Sequence, residues 1–207
     1  MTDNLPSFDE LSNIRNELTG MVGGMVEENR IDRKRLEDTI FELITMGYVY
    51  GIEVAGLDLK ADIPVRRERM DAVAWKRTAG ENFSDRIKTH LEEYNAAAAT
   101  DPDKAAKTLI DQLATVAETE THRSINTGAQ DGAQDYADSH PKETVFKIWG
   151  TMQDERVRST HEYLEGAIVP LNARFYTWDG DSARFPGDFV LPENNVNCRC
   201  LIRTVKQ

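Results

Sequence analysis

The sequence predicts an α+β protein, with a predominantly helical N-terminal two-thirds followed by a small α+β C-terminal module with short strands. Three observations carry this expectation. Apolar residues recur with the 3.6-residue period of amphipathic helices as far as His140. Beyond His140 and Pro141 the period changes to two over "ETVFKIWG", a stretch rich in β-forming residues. From Gly166 onward the chain is dominated by turn residues and scattered aromatics.

Three regions follow. Residues 1–62 read as an N-terminal helical extension, in which the stretch from Val26 places Leu36, Ile40, Leu43, Ile44 and Tyr48 on one stripe. Gly47, Gly51 and Gly56 interrupt it. A glycine costs ~1 kcal/mol in a helix interior, so three of them imply close packing against another backbone or a gradual helix end. "LDLKADIP" breaks the chain, and residues 63–140 form a second helical region. Its first stretch, residues 65–99, carries Met70, Val73 and Ala74 and, after Gly80-Glu81-Asn82, Ile87, Leu91 and Tyr94. Asp101 is an N-cap, with Pro102 in the first turn and Asp103 favourable to the helix dipole. The helix it starts buries Leu109, Ile110, Leu113, Val116 and Ala117.

Residues 141–207 form the C-terminal module. A strand sets Val145, Lys147 and Trp149 on one side and Phe146 and Ile148 on the other. "TMQDERVRSTHEYLEG" reads as a short helix, capped by Thr151 with Asp154 or by Asp154 itself and stopped by Gly166. On such a helix Asp154, Arg158, His161 and Glu165 share a face, either an exposed ion-paired surface or an organised polar site. "WDGD" reads as a tight hairpin turn and "CLIRTV" as a final strand.

The net charge of -11 lies entirely in residues 1–139, because residues 140–207 carry nine basic and nine acidic side chains. An acidic helical region argues against a nucleic-acid surface and suits a solvated face or docking onto a basic protein. No run approaches the ~18 apolar residues that span a bilayer, and the N-terminus lacks the order of a secretion signal. Cys198 and Cys200, the two cysteines of the chain, stand one residue apart, too close for an unstrained disulfide. They are free thiols or metal ligands. With His161 as a nitrogen donor and Asp154 or a water in the fourth position they would form a tetrahedral site suited to zinc. Two small buried side chains with a locally bonded histidine are the alternative. Familiar enzyme motifs are missing: "HEYLE" is not H-E-x-x-H, and no Walker loop, G-x-S-x-G or G-x-G-x-x-G occurs. A Cys–His dyad is chemically possible, without a marked oxyanion hole or orienting third group. His90, His122 and His140 lie in polar surroundings and receive no role.

The ordered set of C-terminal residues resembles the phage head morphogenesis family, the Mu F-like minor head proteins. Trp149, Asp154, Arg156, Val157, Arg158, His161, Gly166, Phe175, a proline at 186 or 192, and Asn197-Cys198-Arg199-Cys200 follow that family's order. Upstream, Thr119, Glu120, Arg123 and Asn126 resemble its T-E-x-x-R-x-x-N helix, with Glu118 where an arginine is usual. The resemblance covers residues 70 to 207. It implies a non-enzymatic minor capsid protein of a tailed bacteriophage, associated with the portal protein and also with major capsid or scaffolding protein. Such a protein supports head assembly, DNA packaging or DNA delivery. It would reside in the head interior near the portal, and in the host cytoplasm during assembly, with no membrane and no sequence-specific nucleic acid as partner. The resemblance also groups the NCRC segment with Asp154, Arg158 and His161, which strengthens the zinc reading. A hydrolase or transferase delivered with the genome and using the Cys/His cluster is the alternative function.

Overall fold

A computed structural model describes residues 9–28, 30–79 and 83–207. Five helices come first: α1 (Asp9–Glu27), α2 (Arg33–Leu59), α3 (Arg67–Ala79), α4 (Phe83–Ala98) and α5 (Pro102–Ser139). The remainder is β1 (Val145–Gly150), the one-turn α6 (Ser159–Glu162), β2 (Ile168–Pro170), β3 (Phe175–Tyr176), β4 (Ser182–Ala183), the one-turn α7 (Pro192–Asn195) and β5 (Leu201–Lys206). The architecture is α+β, helical first and strand-containing last. The Gly80-Glu81-Asn82 interruption lies outside the described residues, as do the surroundings of Ala74.

The helix expected from Val26 is two helices. α1 ends at Glu27, and α2 begins only at Arg33, where the Asp32 side chain accepts the Arg35 N–H at 3.1 Å. α2 closes with Lys60 in the left-handed conformation (φ 52°). The stripe Leu36, Ile40, Leu43, Ile44 joins Leu18, Val22 and Met25 of α1, Ile87 of α4, and Leu109, Leu113, Val116 and Ala117 of α5 in one core. By length and composition α2 is apolar enough to cross a membrane. Much of its apolar surface is turned inward, Tyr48, Ile52, Val54, Ala55 and Leu59 among it.

α5 is the axis of the molecule. Asp101 caps it, accepting the Lys104 N–H at 3.1 Å. Two of the three α2 glycines mark its contact with α2. A Cβ on Gly51 would sit 2.0 Å from the Ile125 carbonyl oxygen, and one on Gly47 would sit 2.8 Å from that of Thr121. Gly128 answers from α5, where a Cβ would meet the Tyr48 carbonyl oxygen at 2.1 Å. Gly56 belongs to the helix end, its carbonyl accepting the Ala61 N–H at 2.9 Å.

The C-terminal sheet has the order β2-β1-β5, all antiparallel, with Trp149 opposite Ile202 and Lys147 opposite Thr204. Val145, Lys147 and Trp149 all face inward, so the period-two reading of β1 holds. Phe175, Ala183, Phe185, Phe189, Leu164 and both cysteines pack around Trp149. β3 and β4 form a hairpin whose turn is closed by Thr177 N–H to Asp181 O at 3.0 Å, with Gly180 at φ 90°. β5 is tied back to α2 by Arg203, whose Nε donates to Asp58 Oδ1 at 2.8 Å, while the Thr204 N–H donates to Asp58 Oδ2 at 2.9 Å.

The segment between β1 and Gly166 corrects the helical reading. Only Ser159–Glu162 is helical. Gln153 adopts φ 53°, and Asp154 turns its carboxylate onto the Arg156 N–H at 3.1 Å, a side-chain turn that competes with helix. Neither Thr151 nor Asp154 caps a helix, and the shared face of Asp154, Arg158, His161 and Glu165 does not form. Glu165 instead accepts the Thr151 N–H at 2.6 Å. Gly166 does end the segment, at φ 71°, donating to Trp149 O at 2.9 Å.

Candidate functional site

His161 sits on α6, and its Nδ1 lies 3.5 Å from the Cys198 sulfur and 3.5 Å from the Cys200 sulfur. The three donor atoms lie within 4.8 Å of one another, all three side chains are buried, and both cysteines are free thiols. The ring is gripped by aromatics: Trp149 meets it edge-on at 5.6 Å and Phe189 stacks on it at 5.2 Å. Among the described residues, His161 Nε2 is buried without a hydrogen-bond partner, so its polar anchor is the sulfur pair.

The local chain explains the convergence. Asn197 is left-handed (φ 56°), and the Cys198 N–H returns to Asn195 O at 3.1 Å, reversing the chain after α7. Past that turn the two cysteines face His161 while Arg199 reaches the other way, the alternation of an extended chain. Arg199 grips Asp154 with both nitrogens, at 2.8 and 2.5 Å, and Arg156 adds a contact at 3.3 Å. These hydrogen bonds, that of Arg199 foremost, hold the Asp154 carboxyl down at about 2. Asp154 is therefore committed to arginines and stands outside the converging donors, a correction to its reading as a ligand. Arg158 donates to the Val196 carbonyl, fastening the turn before the cysteines.

The two thiols act as one titrating unit. The hydrogen bond from Cys200, with help from His161, pulls the Cys198 thiol well below its ordinary value, while Cys198 and burial push Cys200 up. A thiolate beside an imidazole is a nucleophile in principle. Here both thiols are buried, and a narrow crevice bordered by Met152, Arg156, Arg158 and Asn197 leads to Cys200 and His161.

α5 supplies the floor. Thr119, His122, Asn126 and Gln130 recur at helical spacing as a buried polar stripe on an otherwise packed helix. Thr119 Oγ1 accepts the Asn197 N–H at 3.3 Å. His122 Nε2 meets the Cys200 carbonyl at 2.5 Å, and Asn126 Nδ2 donates to the same oxygen at 3.1 Å. Asn126 Oδ1 accepts the Ile202 N–H at 2.9 Å, and Gln130 Nε2 donates to Leu171 O at 3.2 Å. Burial depresses the pKa of His122. His122, given no role from sequence, is thus a central contact. Its position on one face with Thr119, Asn126 and Gln130 was the available signal. His90 and His140 stay peripheral, the first beside Glu93 at 3.4 Å and the second stacked on Tyr136 at 4.1 Å.

The remaining motif residues brace this arrangement. Glu120 is buried and accepts from Arg86 at 2.9 Å, with Arg123 at 3.9 Å. Arg123 lies under Gly187 (φ 91°), where a Cβ would come within 2.6 Å of Arg123 Cγ.

Comparison with known proteins agrees with the segments that build the site. Residues 67–203, about two-thirds of the chain, match the family described as Phage Mu protein F like protein. Over 86 residues the chain is 30% identical to minor head protein GP7 of Bacillus phage SPP1, covering 42% of this chain and 27% of that protein. The chain thus spans about a quarter of that relative's length. No solved structure matches. The matched span runs from the start of α3 into β5 and takes in both the α5 polar stripe and the His161–Cys198–Cys200 cluster, and the chain belongs to the Phage Mu protein F-like family.

Proposed function

We propose that this protein is a minor component of a tailed-phage head, placed in the head interior near the portal and acting through protein contacts. Head assembly, DNA packaging or DNA delivery is the process it supports, with the portal protein as first partner and major capsid or scaffolding protein as further ones. The observation that carries this reading is the family match over residues 67–203. The likeness to a protein named a minor head protein supports it. The burial of the Cys/His cluster supports a non-enzymatic role, because two buried thiols beside a narrow crevice offer a substrate little approach.

Purified virions should contain the protein, and chemical cross-linking of intact heads should join its exposed lysines, such as Lys88, Lys104 and Lys107, to the portal protein. Absence from DNA-filled heads, or cross-links confined to tail proteins, would overturn the reading.

A further inference from the structure

We infer that His161 Nδ1, Cys198 Sγ and Cys200 Sγ bind one Zn²⁺ ion, with a water from the adjoining crevice as fourth ligand. The ion would clasp the chain before β5 to α6. Zinc–sulfur bonds of ~2.3 Å and zinc–imidazole bonds of ~2.0 Å at a tetrahedral angle place nitrogen and sulfur ~3.5 Å apart. Both sulfurs stand 3.5 Å from Nδ1. One ring nitrogen has a single in-plane position for a hydrogen bond and cannot serve two thiols equally, whereas an ion between the three atoms serves all of them.

The donor set selects the metal. Two sulfurs and an imidazole suit zinc, while calcium and magnesium need oxygen ligands. The nearby carboxylate, Asp154, is taken by Arg199 and Arg156. Charge also balances: each thiol releases a proton on binding, and two thiolates neutralise the dication, so the buried complex carries no net charge. Trp149 Nε1, buried without a hydrogen-bond partner among the described residues, packs in the same core as both sulfurs and is available to a thiolate. The module needs such a fastening, because its secondary structure consists of short strands and one-turn helices.

The full chain, purified without added metal, should carry about one zinc per chain. Cobalt exchanged into it should show thiolate-to-metal charge transfer and the strong visible bands of four-coordination. Cys198→Ser and His161→Ala should each weaken zinc binding more than about tenfold, and Asp154→Asn should retain the full equivalent. Loss of a buried cysteine can itself unfold the module, so the cobalt spectrum of the unsubstituted chain is the primary reading. A folded chain that takes up neither zinc nor cobalt, or that holds Cys198 and Cys200 in a disulfide, would overturn the inference. So would a folded Cys198→Ser variant with a full equivalent of zinc. None of these readouts depends on the role in the phage head.

Discussion

Lys147 is fully buried on the inner side of β1, where its Nζ donates to Gln130 Oε1 at 3.0 Å and stands 5.6 Å from the centre of the Phe175 ring. Burial is the main force on its ammonium and pushes the pKa down to about 8; Arg184 and Arg174 push the same way and Asp188 opposes them. The unfolded chain therefore binds more protons than the folded one between pH 8 and 10.5, and stability should rise with pH across that window. Below pH 8 the full cost of the buried charge is present. Lys147→Met should remove that rise and stabilise the protein at pH 7 by on the order of 2 kcal/mol, after Gln130 loses its partner. Urea midpoints from pH 7 to 10.5 test this, and equal slopes in both proteins would remove Lys147 as the source. Alternation along β1 already put Lys147 on the Trp149 side, so its inward placement was legible. For His122 the spacing shows a shared face with Thr119, Asn126 and Gln130, but not its partner, the Cys200 carbonyl 78 residues away in the chain.

The contact between α2 and α5 is set by glycines at its closest approach. At Gly51 and Gly128 the backbones of α2 and α5 approach so closely that a methyl group would overlap a carbonyl oxygen, at 2.0 and 2.1 Å. Gly20 on α1 has nothing within 4 Å of an added Cβ. Gly51→Ala should therefore cost on the order of 3 kcal/mol or more, since the helices must part to admit the methyl. Gly20→Ala should instead stabilise by ~0.5–1 kcal/mol through helix propensity alone. Thermal unfolding of the two variants side by side separates packing from propensity, and equal effects would show that the helices adjust freely. The spacing of Gly47 and Gly51 announced a close approach, although the partner face on α5 could not be read from it. The segment after β1 departs from the helix its composition predicts for a definite reason. Its composition is helical, but left-handed Gln153 and the Asp154 side chain satisfy backbone groups in a turn, and Arg199, supplied from 45 residues away, holds that carboxylate in place.

Across the whole molecule, α5 joins two parts of different character. Its first half shares a core with α1, α2 and α4, and its polar stripe holds the C-terminal module, so helices and module are braced by one rod. Fold class was legible because it depends on local periodicity; the seating of the NCRC segment on α5 was not, because it depends on long-range hydrogen bonds. The charge divides along the same rod, with the net -11 in residues 1–139 and a neutral balance beyond. If the acidic helices are the docking face for a portal or capsid partner, association should be electrostatic and fast, and weakened by salt. Raising ionic strength from 0.1 to 1 M shortens the screening length from ~10 to ~3 Å and should lower the affinity more than about tenfold. Replacing exposed Glu42 and Glu53 with lysine should produce a comparable loss at low salt, with the melting temperature nearly unchanged because neither is buried. The module offers a rival face, since Tyr176, Trp178 and Val190 are all more than 60% exposed. Binding that ignores salt and the lysine substitutions, but is lost in a Trp178→Ala, Val190→Ala double variant, would assign docking to the C-terminal module and leave the acidic helices as a solvated surface.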